Sequence, residues 1–152
     1  MREQAMVQYR SIPDSELTYG KDCPYIDIQW EKGRIFISNA VLRLIGKPSG
    51  IRFLWNANKR TIIIEPTSID DPDGFPVIGA TYAKYGSLQI GCSTLIREIW
   101  TVIDWSKTLR FRIVPKYNEL SNVAIFELKD AIASEIPRNI RGGRPKKQPK
   151  KT

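Results

Sequence analysis

GRIFISNAVLRLIGKPSGIRFLWNANKRTIIIE, residues 33 to 65, carries several structural signals in one compact stretch, and the rest of the chain either repeats it or hangs from it. In Arg34-Ile35-Phe36-Ile37, Ile35 and Ile37 fall on one face of a strand and Arg34 and Phe36 on the other, because successive strand side chains point to opposite sides. Ser38 or Asn39 then caps a short helix, Ala40 to Ile45, whose apolar side of Val41, Leu44 and Ile45 recurs at helical spacing. Gly46 ends it, at a position suited to left-handed backbone. After Lys47-Pro48-Ser49-Gly50 come two β-rich runs, Ile51 to Trp55 and Thr61 to Glu65. They flank Asn56-Ala57-Asn58-Lys59-Arg60, a polar connection of the length that closes a hairpin. Just upstream, Ile26-Asp27-Ile28-Gln29-Trp30 alternates strictly and Glu31-Lys32-Gly33 turns it into the next strand.

That order of elements resembles the AbrB-like (SpoVT-AbrB) swapped-hairpin DNA-binding domain over Tyr25 to Pro66. Gly33-Arg34-Ile35 matches the family's opening turn and strand, Leu44-Ile45-Gly46 its helix end, Gly50-Ile51-Arg52-Phe53 its third strand and Thr61 to Glu65 its fourth. Ser38 stands where the family commonly has proline, and Ile51 where it often has an acidic residue. The resemblance implies DNA binding by the folded part, with Arg34 on the DNA-facing side.

Beyond Pro66 the composition changes. Residues 67 to 78 hold two prolines and three aspartates and read as a linker, in which Asp71-Pro72-Asp73-Gly74 suits a type I turn. An EF-hand frame fails there, since Ile69 and Ala80 stand where carboxylates belong. Then the first pattern returns. Ala80 to Tyr85 suits a strand, Gly86 to Ile90 repeats Gly33 to Ile37 at an offset of 53, and Ser93 or Thr94 caps a longer helix lined by Leu95, Ile96, Ile99, Trp100 and Ile103. Leu109-Arg110-Phe111-Arg112-Ile113 echoes Ile51-Arg52-Phe53 at 58, and Asn122 to Glu127 echoes Thr61 to Glu65 at about 62. One such unit has an apolar face that it cannot cover alone, so two copies on one chain are expected to interlock. The expected fold is α+β, mostly β: a small swapped-hairpin (AbrB-like) barrel of two β-β-α-β-β units, residues 21–66 and 79–136. A flexible arm, 1–20, precedes it, the linker 67–78 joins its halves, and a disordered tail, 137–152, follows.

The net charge of +8 sits mostly in that tail. Arg138 to Lys151 contains seven basic residues and no acid, leaving 17 basic against 16 acidic residues, or +1, for the remainder. Attraction to a polyanion is therefore concentrated in the tail. There, Gly143-Arg144-Pro145 with flanking lysines resembles the core of an AT-hook, with Arg141 set back by the extra Gly142. In such a motif glycine lets the backbone lie against the floor of the minor groove, arginine enters the narrow A·T groove and lysines meet phosphates. Candidate DNA contacts are thus Arg141, Arg144, Lys146, Lys147, Lys150 and Lys151 in the tail, and Arg34, Arg43, Lys47, Arg52, Lys59 and Arg60 on the body, Arg34 and Arg52 foremost. A solvated basic tail that takes any polyanion, RNA included, is the blander alternative.

The chain has no histidine, and no Ser-x-x-Lys, Gly-x-Ser-x-Gly, P-loop or dinucleotide spacing, so neither catalysis nor a cofactor is expected. Two cysteines cannot complete a zinc site, and Cys92 among apolar neighbours reads as a core thiol. No apolar run reaches the roughly 20 residues of a membrane span. The expectation is a cytoplasmic, nucleoid-associated DNA-binding protein and transcription regulator, with homodimers possible. The alternatives are a protein-interaction module of antitoxin or assembly-factor type and an RNA-associated protein.

Overall fold

A computed structural model describes residues 23–78 and 86–136. The expected arm, the strand at Ala80 to Tyr85 and the basic tail lie outside the described residues. The elements in order are β1 (Ile26–Gln29), β2 (Arg34–Ser38), α1 (Asn39–Leu44), β3 (Gly50–Asn56), β4 (Thr61–Thr67), β5 (Phe75–Pro76), β6 (Ser87–Gly91), α2 (Ser93–Val102), β7 (Leu109–Ile113), β8 (Lys116–Asn118), β9 (Val123–Glu127), a 3₁₀ turn (Leu128–Asp130) and β10 (Ile132–Glu135). They form two five-stranded antiparallel sheets. Sheet A runs β10-β7-β1-β2-β6 and sheet B runs β5-β3-β4-β9-β8. Among the described residues the protein is thus mostly β with two helices, as its alternating runs require.

Ile26, Ile28, Ile35 and Ile37 of sheet A and Ile51, Ile62, Ile64 and Phe126 of sheet B are fully buried. With Val41, Leu42 and Ile45 of the α1 region and Ile96 and Ile99 of α2 they make one core. Each such side chain contributes about 2 kcal/mol by leaving water. α1 closes on a Schellman motif: Lys47 N–H donates to Leu42 O (2.8 Å), Gly46 N–H donates to Arg43 O (3.1 Å), and Gly46 has φ +96°. Its start differs from expectation, because the Ser38 hydroxyl accepts from Tyr25 N–H (3.0 Å) and makes no cap bond. At α2 the cap position is Cys92, without a side-chain bond, so Ser93 and Thr94 lie one and two residues inside the helix.

The segment 67–78 folds back as part of sheet B. Thr67 extends β4, the Asp71–Gly74 turn closes with Gly74 N–H on Asp71 O (3.1 Å), and β5 then pairs Phe75 with Ile51 and Pro76 with Gly50. Gly50 permits this approach, since a Cβ there would sit 2.6 Å from Ser68 O.

The internal echo has a structural counterpart. β2 pairs with β6 about a midpoint where Phe36 faces Gln89, an offset of 53, and the bonds Asn39 N–H to Gly86 O and Cys92 N–H to Gly33 O, both 3.0 Å, mirror each other across it. In sheet B, β4 pairs with β9 about Ile63 facing Ile125, an offset of 62. The hairpins β3–β4 and β8–β9 share that offset, closing on Asn56 with Thr61 and Asn118 with Val123. Both turns use the same device: Asn56 Oδ1 accepts Lys59 N–H (3.0 Å), Asn118 Oδ1 accepts Ser121 N–H (3.2 Å), and Arg60 (φ +52°) and Asn122 (φ +55°) lead into the next strand. The echo of Phe53 in Phe111 at offset 58 is not part of this relation. β7 lies in sheet A between β1 and β10, and the break at Val114-Pro115 then carries the chain over to β8 in sheet B.

Candidate nucleic-acid interface

Directly paired residues of an antiparallel sheet share a face. In sheet A, Asp27 pairs with Phe36 and Arg112, and Gln29 pairs with Arg34 and Arg110, so these six lie together on the face opposite the isoleucine core. Three arginines and one carboxylate make it a positive surface. Arg34 is exposed, and its Nη1 donates to Gln89 Oε1 on β6 (2.9 Å). Arg110 Nε donates to Ser134 Oγ on β10 (2.9 Å). Arg112 donates from Nε and Nη2 to both Asp27 oxygens at 2.8 Å, and its Cζ stands 3.7 Å from the Tyr25 ring centre. Hydrogen bonding to Asp27 raises the Arg112 pKa, so its charge is permanent. The guanidiniums of Arg34 and Arg110 are aimed by Gln89 and Ser134, and each of these hydrogen bonds is to a neutral side-chain oxygen that a phosphate can replace.

The other expected body contacts lie elsewhere. Arg52 belongs to the outer face of sheet B, so it and Arg34 stand on different sheets and do not form one patch. Arg52 is also engaged: its Nε donates to Glu65 (2.9 Å), its Nη1 lies 3.5 Å from Asp71, and the Glu65 bond above all raises its pKa. Arg43 is in the last turn of α1 and Lys47 follows in the Schellman turn. Lys59 and Arg60 are exposed in the β3–β4 turn. Arg141, Arg144, Lys146, Lys147, Lys150 and Lys151 lie outside the described residues. Arg110 and Arg112 were assigned a strand but no role by the sequence pattern. The signal available was their alternation with Leu109, Phe111 and Ile113, which puts both opposite the core.

A groove of about 500 Å³ opens between Phe53, Trp55 and Phe75 of sheet B and the start of α2 at Cys92 to Leu95, with Glu98 at its rim. Burial pushes the Cys92 thiol up to about 11, so it is protonated at neutral pH and offers no thiolate nucleophile. Among the described residues no helix is long and apolar enough to cross a membrane. The chain matches no protein-family model, no curated protein and no solved structure.

Proposed function

We propose that this chain is a DNA-binding protein and transcription regulator, built as two divergent AbrB-like units that interlock, with an AT-hook-like basic tail that favours A·T-rich DNA. The observation that carries the reading is the gathering of Arg34, Arg110 and Arg112 on one face of sheet A, since cations flanking β1 from both sides suit a phosphate backbone. The mirrored β2·β6 and β4·β9 ladders support the AbrB-like reading, which expects two copies to share one core. The tail adds seven positive charges. The test is a titration of the full-length protein with A·T-rich duplex, G·C-rich duplex and RNA at two salt concentrations. The A·T-rich duplex binds tightest, and removing residues 138 to 152 flattens the salt dependence by several units, at a slope of about 0.9 per neutralised phosphate. Tighter retention of RNA than of either duplex reassigns the protein to RNA.

A second reading, a protein-interaction module, draws on sheet B. Its outer face exposes Leu54 (44%) beside Ile63 and Ile125, in a row framed by the Arg52–Glu65 and Lys116–Glu127 pairs. Full-length protein that ignores all three nucleic acids favours it.

A further inference from the structure

Gln29, on the sheet A face, holds a buried side-chain oxygen that no donor meets. The residue is 6% exposed, and its Oε1 has no hydrogen-bond partner. A buried amide oxygen without a donor costs stability that an apolar side chain of the same size would not. Its cross-strand neighbours on both sides are cations, Arg34 on β2 and Arg110 on β7, and each donates away from it, to Gln89 and Ser134. An amide with an open acceptor is thus set between two guanidiniums that leave it alone.

We propose that Gln29 reads adenine in the major groove, an inference that rests on sheet A being the DNA-binding face. The glutamine amide matches the adenine edge, its oxygen accepting from N6 and its nitrogen donating to N7, and the major groove admits a two-stranded β ribbon such as β1–β2. Phosphates draw Arg34 and Arg110 outward and open the amide between them. Arg34 is placed for this, since its bond to Gln89 is exposed and exchanges readily for one to a phosphate. The acceptor kept unpaired in the free protein is then satisfied by the base.

The test compares full-length wild type, Gln29→Met and Gln29→Glu on an A·T-rich duplex and on the same duplex carrying 7-deazaadenine, by fluorescence anisotropy. N7 lies in the major groove, so the substitution leaves minor-groove contacts of the tail untouched. Wild type binds the 7-deaza duplex on the order of ten-fold more weakly. Gln29→Met binds the two alike and unfolds at no lower temperature, because it fills the space without a buried carbonyl. Gln29→Glu, which loses the donor to N7, also binds the two alike. Wild type that binds both duplexes equally, or a methionine variant that keeps the preference, overturns the inference and leaves DNA binding standing. Wild type that binds no duplex overturns both.

Discussion

Asp27 decides what the arginine face can be. It is 5% exposed, accepts both Arg112 bonds at 2.8 Å and lies 4.0 Å from Arg110 Nη1, so one buried carboxylate anchors two of the three cations. Breaking a pair of this kind leaves the remaining charge poorly solvated, and Asp27→Ala is expected to cost about 3 kcal/mol in urea unfolding. Asp27→Asn keeps one acceptor and should cost clearly less; equal losses would show that the charge carries the whole contact and the remaining acceptor nothing. At this scale the sequence was legible in direction but not in partnership. The alternation Ile26-Asp27-Ile28-Gln29 tells which side faces the core, whereas the neighbours of Asp27 come from residue 36 and residue 112, and no local pattern carries such a pairing. Arg52 shows the converse, a charge that looks free in sequence and is held by Glu65 and Asp71 once the segment after β4 folds back.

The two sheet B hairpins are the elements that most reward substitution. In the second, Asn122 holds a left-handed backbone, donates Nδ2 to Ile45 O at the end of α1 (3.0 Å) and accepts the Tyr117 hydroxyl (2.6 Å). Asn122→Ala loses both bonds and adds backbone strain, an expected loss of about 2–3 kcal/mol. Asn122→Gly loses the same bonds without strain and should be about 1 kcal/mol milder, read from the two denaturation midpoints. The same hairpin carries a titratable contact. Lys116 chiefly, and Lys129, hold the Glu127 carboxyl below its ordinary value of 4.5. Its contribution is therefore complete above that value and disappears as pH falls through the lower, folded value. Glu127→Gln should lose less stability than wild type between pH 5 and the acid limit in pH-dependent melting; parallel curves would remove Glu127 from the account. The first hairpin was legible because Asn56 to Arg60 is a turn by composition. The second was half hidden: Pro115 interrupts the strand leading into it, so β8 looks like loop, and β10 follows a 3₁₀ turn with only Ile132 and Ala133 to mark it.

Over the whole molecule, each sheet draws strands from both halves of the chain, with β6 and β7 joined to β1–β2 and β9 joined to β3–β4. Neither half can bury its isoleucines alone. Fragments 1–78 and 79–152 prepared separately are expected to show no cooperative thermal transition, and an equimolar mixture is expected to recover one; a cooperative transition in either fragment alone would mean a self-sufficient domain. The repeat that makes this possible was legible at Gly33 and Gly86, where glycine and alternation coincide. The offset in the second sheet was blurred by the displaced β7, whose Phe111 imitates Phe53 while serving the other sheet.

The mirrored ladders have one more consequence. A backbone hydrogen bond does not register whether its two strands belong to one polypeptide, so two molecules that trade their second halves would close the same β2·β6 and β4·β9 seams and bury the same side chains. Such a pair would carry two complete arginine faces, and crowding the protein at high concentration becomes a way to join two such faces in one particle without a new contact surface having to evolve.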